Sequence, residues 1–221
     1  MNRILLLANE VSKTYNGIDY VFRNLTFEIS NNDVFGILGP NGSGKSTLLK
    51  LLANLIAPTE GSVFLKINDS ILPASKQRDI QSFVAPYLTL FEEFKPMEFL
   101  EISFKIKGTR FDKSLAMELI EYFELTKALD KTIREFSSGM KQRMKYVLAF
   151  LQNPMLLFLD EPFTNLDESG IAKVMDFLIR FKAEGKIIVI ATNDTREIEL
   201  CNRRIILKRL SSDEPYFDSS V

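Results

Sequence analysis

Apolar positions along the chain alternate between two periods, and the switches between them mark the elements. Ile4–Ala8 and Tyr20–Ile29 read as strands, the second with Val21, Leu25, Phe27 and Ile29 in one register. Asn16-Gly17 between them is a turn signal, and Asn31-Asn32-Asp33 turns the chain into a further apolar strand, Asp33–Leu38. Leu48–Ala53 then reads as a helix with an apolar face, Pro58–Gly61 as a turn, Ser62–Ile67 as a strand and Ser82–Ala85 as a short strand ended at Pro86. The period then becomes helical. Pro96–Lys107 is a helix with proline in its first turn and Gly108 as its stop. A second helix runs from Phe111 or Asp112 to Glu124, with Asp112 as cap and Leu115, Leu119, Ile120 and Phe123 as its apolar face. Ser137 caps a third, striped by Met144, Val147, Leu148 and Leu151.

The last part repeats strand and helix. Met155–Leu159 and Ile187–Ala191 are short, branched apolar runs that suit fully buried parallel strands. A helix from about Ser169 to Lys182 separates them, Arg203–Leu207 is a final strand, and Ser211–Val221 reads as a frayed acidic tail. The expected fold is α/β: a mostly parallel sheet with flanking helices, an N-terminal antiparallel β subdomain and an inserted helical subdomain. The expected division is 1–85 with 137–210 for the core and β subdomain, 86–136 for the helical insertion, and 211–221 for the tail.

Composition narrows the chemistry. The net charge of −1 gives no argument for a nucleic-acid partner. No apolar run is long enough to span a bilayer, and the start Met1–Ala8 reads as a strand, not a leader, because Asn9-Glu10 follow at once. The single cysteine, Cys201, excludes an internal disulfide and suits a reducing compartment. With no histidine in the chain, histidine-based zinc sites, triads and general bases are all excluded. Eighteen phenylalanines against no tryptophan supply a core, and those on the middle helices could also form a docking face.

Gly39-Pro40-Asn41-Gly42-Ser43-Gly44-Lys45-Ser46-Thr47 fills the pattern G-x-x-x-x-G-K-[ST] between a strand and a helix. Its glycines let backbone N–H groups converge on phosphate oxygens at the positive end of the helix. Lys45 would reach the β- and γ-phosphates, and the Ser46 hydroxyl would hold Mg²⁺. Asp160-Glu161 ends the buried strand 155–159. A carboxylate pair there is costly unless a charge meets it, and beside a phosphate loop that charge is most cheaply Mg²⁺. Asp160 would bind the ion through water, and Glu161 would orient or deprotonate the attacking water. Ser137-Ser138-Gly139 leaves helix-start N–H groups open to an anion, suggesting a γ-phosphate contact given to another subunit. Tyr15, beside the Asn-Gly turn, is either a plain hairpin aromatic or a platform for an adenine ring.

These motifs, in this order and over about residues 4–210, resemble the nucleotide-binding subunit of an ABC transporter. Residues 39–47 match its Walker A motif, Phe136–Met140 its signature loop, Leu156–Glu161 its Walker B motif with the catalytic glutamate, and Asn165-Leu166-Asp167 its D-loop. Tyr15 falls where the family places its adenine-stacking aromatic, and 86–136 resembles the helical subdomain that meets the permease. The resemblance implies ATP and Mg²⁺ as ligands. It implies a head-to-tail dimer, most simply of identical subunits, in which each phosphate loop faces the other subunit's signature helix. It also implies a separate transmembrane permease, a cytoplasmic location against the inner face of the membrane, and no C-terminal regulatory domain. The small form favours an exporter. The residue matching the family's γ-phosphate histidine is Asn193, whose amide donates a hydrogen bond but carries no charge. The residue matching its magnesium- and water-contacting glutamine is Pro86, with Gln81 nearby but out of register. Ser138 replaces a signature glycine and Met140 a glutamine. Two other readings keep the fold: a soluble ATPase of an assembly or repair machine, and a regulatory subunit that binds ATP with little hydrolysis. The transported substrate is not encoded in this chain's motifs.

Overall fold

The computed structural model describes residues 3–208; the tail expected over Ser211–Val221 lies outside the described residues. β1 (Ile4–Thr14) and β2 (Tyr20–Ser30) form the first hairpin, followed by β3 (Val34–Leu38), α1 (Lys45–Leu52), β4 (Glu60–Ile67) and β5 (Ser70–Leu72). α2 (Ala74–Gln77) and β6 (Gln81–Val84) lead into α3 (Pro96–Lys107) and α4 (Lys113–Tyr122). The second half is α5 (Ser138–Leu151), β7 (Leu156–Asp160), α6 (Glu168–Ala183), β8 (Ile187–Thr192), α7 (Thr195–Ile198) and β9 (Arg203–Ile206).

Two sheets result. One is antiparallel, in the order β2-β1-β4-β5, and the other is parallel throughout, in the order β6-β7-β8-β3-β9. The expected α/β fold with an antiparallel subdomain and a helical insertion is therefore present. Alternation along the central strands divides the core in two. Leu156, Phe158, Ile187 and Val189 face α1 and the antiparallel sheet, whereas Leu157, Leu159, Ile188 and Ile190 face α3 to α6. Each of these strand residues is fully buried, which is why β7 and β8 carry no polar residue before their ends.

Parallel register brings the strand ends level. Asp160 pairs with Ala191 across β7 and β8, and Leu38 pairs with Thr192 across β3 and β8. The functional segments leave the sheet from this one edge, as ligand-binding segments do in open α/β sheets.

Three local expectations shift. α1 starts at Lys45 and not at Leu48, because Gly44 at φ 96° ends the loop and puts Lys45 and Ser46 in the first turn. In β2 the buried residue is Phe22 and not Val21: Asn24 at φ 50° interrupts the alternation, and the register against β1 shifts there. In α4, Asp112 caps the N–H of Leu115, so Leu115 sits in the exposed first turn and Ala116 takes its place in the core.

Candidate functional site

Loop 39–44 owes its path to two glycines. Gly39 has φ 144°, and a β-carbon there would lie 2.1 Å from the Leu207 carbonyl oxygen. At Gly44, φ 96°, it would lie 2.4 Å from Val21 Cγ1. No other residue type fits either place. Val21, half-buried at the edge of the core, thus packs against the loop. The loop and α1 open onto a cavity of about 430 Å³ lined by Asn41, Gly42, Gly44–Thr47, Val21 and Glu161. Glu161 is therefore brought to the phosphate loop from a strand end more than a hundred residues away in sequence.

Lys45 is buried, and its Nζ donates to the Gly39 and Pro40 carbonyls at 2.9 and 3.2 Å. The buried Ser43 hydroxyl has no hydrogen-bond partner among the described residues. An orphaned hydroxyl inside a glycine cradle is what a phosphate oxygen would satisfy. Asp160, 2% exposed, accepts a hydrogen bond at Oδ2 from the Tyr87 hydroxyl at 2.8 Å. Glu161 has φ 45°; its N–H donates to the Ala191 carbonyl at 2.9 Å, tying it to β8, and its carboxylate accepts from Thr164 at 3.4 Å. Asn193 Nδ2 donates to Asn41 Oδ1 at 3.0 Å, so the segment after β8 touches the phosphate loop.

The oxygen donors suit magnesium. Among the described residues no group of three or more Asp, Glu, His or Cys could hold a metal alone. Magnesium commonly takes one or two protein oxygens and completes its shell with waters and substrate phosphates. Ser46 and Asp160 would supply that kind of set.

Other expected residues lie outside this cavity. Tyr15 is 70% exposed, with Lys13 Nζ 5.1 Å from its ring centre, and does not line it. Nor do Ser137, Ser138 and Gly139 at the start of α5. Ser137 Oγ accepts from the Met140 N–H at 3.2 Å, and a β-carbon on Gly139 would lie 3.0 Å from the Asn165 carbonyl. Asp167 caps α6 by accepting from the Gly170 N–H and also receives Arg143 at 2.6 Å, a contact that holds its carboxyl below the usual range. The start of α5 is thereby fixed to the segment that follows Glu161.

Four residues that support the segments around the site were not foreseen. Tyr87 meets Asp160, 73 positions away in sequence. Burial first, and then Asp160, push its phenol well above the ordinary tyrosine range, so it remains a donor. Lys145 is buried and donates to the Ala85 and Pro86 carbonyls at 2.9 and 2.7 Å. Tyr146, fully buried, donates to the Pro162 carbonyl at 2.8 Å. Glu197 accepts from the Phe163 N–H at 2.6 Å, and burial raises its pKa from 4.5 to about 7. The readable signals were a lysine and a tyrosine on the buried stripe of a helix. Gln81 is structural: its Nε2 donates to the Ala53 carbonyl at 2.6 Å.

A second cavity, of about 220 Å³, lies between β6, α3 and α5, lined by Phe83, Leu88, Leu90, Phe91, Phe99 and Leu148 among others. Phe91 and Leu88 are exposed at its mouth.

Residues 22–164 match the family model described as ABC transporter. The chain is 31% identical over 201 residues to the uncharacterized ABC transporter ATP-binding protein YdbJ of Bacillus subtilis, covering 87% of this chain and 63% of that protein. It is 32% identical over 203 residues to Nod factor export ATP-binding protein I of Rhizobium etli, covering 90% of this chain and 64% of that one. The chain thus spans a little under two thirds of the length of these two relatives. The dimeric structure of MJ0796, a bacterial ABC transporter cassette, superposes with a TM-score of 0.79 at 28% identity, covering 92% of this chain and 94% of that one.

Proposed function

This chain belongs to the ABC transporter family as an ATP-binding subunit, and from that premise we propose that it binds and hydrolyses ATP with magnesium to drive transport through a separate permease. The observation that carries the reading is the shared cavity: Lys45, Ser46 and Glu161 line one space, with Asp160 beside it at the end of β7. Triphosphate would lie along the N–H groups of residues 40–46, with Lys45 exchanging the Gly39 and Pro40 carbonyls for phosphate oxygens. Ser46 and Asp160 would hold magnesium, which supplies charge neutralisation on the β- and γ-phosphoryl oxygens. Glu161 takes a proton from the attacking water, and Asn193, on Asn41, is placed to donate to the γ-phosphate.

The start of α5 does not line the cavity of its own chain, which supports a head-to-tail dimer in which Ser137, Ser138 and Gly139 serve the other subunit's nucleotide. That the similar structure of MJ0796 is dimeric supports a dimer. In this reading the groove at Leu88, Phe91 and Phe99 receives the permease, because it is apolar and adjoins the helical insertion. In the same reading the subunit works at the cytoplasmic face of the membrane. No helix among the described residues is long and apolar enough to cross one. Export is favoured by the similarity to the Nod factor export ATP-binding protein of Rhizobium etli. Tyr15, exposed and one strand-turn from Val21, serves as the adenine platform.

Steady-state release of phosphate by the purified protein, compared with Glu161→Gln, tests the reading. Loss of hydrolysis in the variant supports it, and equal rates overturn the assignment of Glu161.

A further inference from the structure

Pro86, which the resemblance aligns with a magnesium-contacting glutamine, has no polar side chain, and a phenol follows it one residue later. Three elements hold Tyr87 in place. Its hydroxyl donates to Asp160 Oδ2 at 2.8 Å at the end of β7. Its ring lies under Lys50 of α1, the ammonium 4.4 Å from the ring centre. The two residues before it are pinned by Lys145 of α5, whose Nζ donates to both the Ala85 and Pro86 carbonyls. Lys145 is 8% exposed, so its ammonium is committed to those carbonyls at a real desolvation cost. A tyrosine that only filled surface would not be fixed from three directions onto a buried carboxylate.

We propose that Tyr87 is a positioning residue for the magnesium site: its phenol fixes the rotamer of Asp160 and links the ion's carboxylate to the segment that enters α3. The inference rests on the reading above, in which Asp160 and Ser46 hold magnesium. A carboxylate offers two oxygens and about four lone-pair directions, so one phenol on Oδ2 leaves the remaining positions for the ion or its waters. Hydrogen-bonded partners of metal-binding groups commonly contribute about 10–100-fold to metal affinity. The link is physical. The same backbone that carries Tyr87 continues through Leu88 and Phe91, at the mouth of the apolar groove.

The test is calorimetric titration of a non-hydrolysable ATP analogue into wild type and Tyr87→Phe, once in magnesium and once in EDTA. The expected result is that the variant loses about tenfold or more of its magnesium-supported affinity while its affinity in EDTA is unchanged. Lys145→Met, which frees the two carbonyls and leaves the phenol intact, moves the magnesium-supported affinity the same way by less. Equal affinities of Tyr87→Phe and wild type in both buffers overturn the proposal. So does an equal loss in both, which marks a merely structural residue, and so does tighter binding in magnesium, which marks a competitor for Asp160. Wild type with no preference for magnesium removes the underlying reading instead, and is recognised because it needs no variant.

Discussion

Glu161 occupies the left-handed region at φ 45°, a conformation that costs a residue with a β-carbon of order 1 kcal/mol. Its N–H bond to Ala191 and the level strand ends keep it there. The strained backbone aims the carboxylate at the cavity while Asp160 stays behind it. Glu161→Gln keeps the shape and removes the base, so phosphate release falls by about 10²–10⁴ while affinity for magnesium-ATP stays near wild type. A fall in binding equal to the fall in rate contradicts the role. Glu197 gives a pH-dependent expectation. Its pKa rises from 4.5 to about 7 on folding, so the folded chain holds this proton more tightly than the unfolded one. The stabilisation is complete below pH 4.5, fades through the window up to about 7, and is gone above it. That difference amounts to about 3 kcal/mol at most. Glu197→Gln, which stays neutral, gains stability relative to wild type between pH 5 and pH 8 in thermal melts; a constant difference across that range contradicts the assignment. At this scale the sequence showed the phosphate loop and carboxylates plainly, because their chemistry is local. Tyr87 and Glu197 were hidden because each partner lies on a distant element.

Among the elements, α5 and α6 decide how the site is supported. Arg143 reaches from α5 to the Asp167 cap of α6 and to Glu124, while Tyr146, one helical turn on, donates to the Pro162 carbonyl. One face of α5 thus holds both ends of segment 162–167, which follows Glu161. Tyr146→Phe leaves a buried carbonyl without its donor, and the denaturant midpoint falls by an amount worth about 1–3 kcal/mol. Asp167→Ala removes a cap worth about 1 kcal/mol, whereas Asp167→Asn retains the cap and loses only the ion pair, a smaller change for a group this exposed. Chemical denaturation of the two variants separates the terms, and equal losses show that the cap is not what matters. Helix starts and strand runs were legible from period and caps, as at Ser137, Asp112 and Gly108. Register was not: the irregularity at Asn24 buries Phe22 and leaves Val21 at the core's edge beside Gly44, and nothing local announces it.

At the scale of the molecule, the parallel sheet turns a linear order of motifs into one edge where residues 39–47, 160–161 and 193 converge. That convergence was readable from the order of strands and glycines. The separation of the α5 start from its own cavity was readable only as a suggestion, since one helix cap is a weak signal. If the subunits close around nucleotide, Glu161→Gln with magnesium-ATP elutes at twice the mass of the nucleotide-free protein; a monomer under both conditions contradicts the dimer. The central claim is narrower than assembly or transport. It is that Lys45 and Ser46 on one element, and Asp160 on another, hold a single magnesium-bound triphosphate. Equilibrium dialysis of labelled ATP against wild type and Asp160→Asn, with magnesium and with EDTA, measures it directly. The account predicts that wild type binds more tightly with magnesium and that Asp160→Asn loses this gain but keeps the EDTA value. Identical binding by the two proteins in magnesium would contradict it.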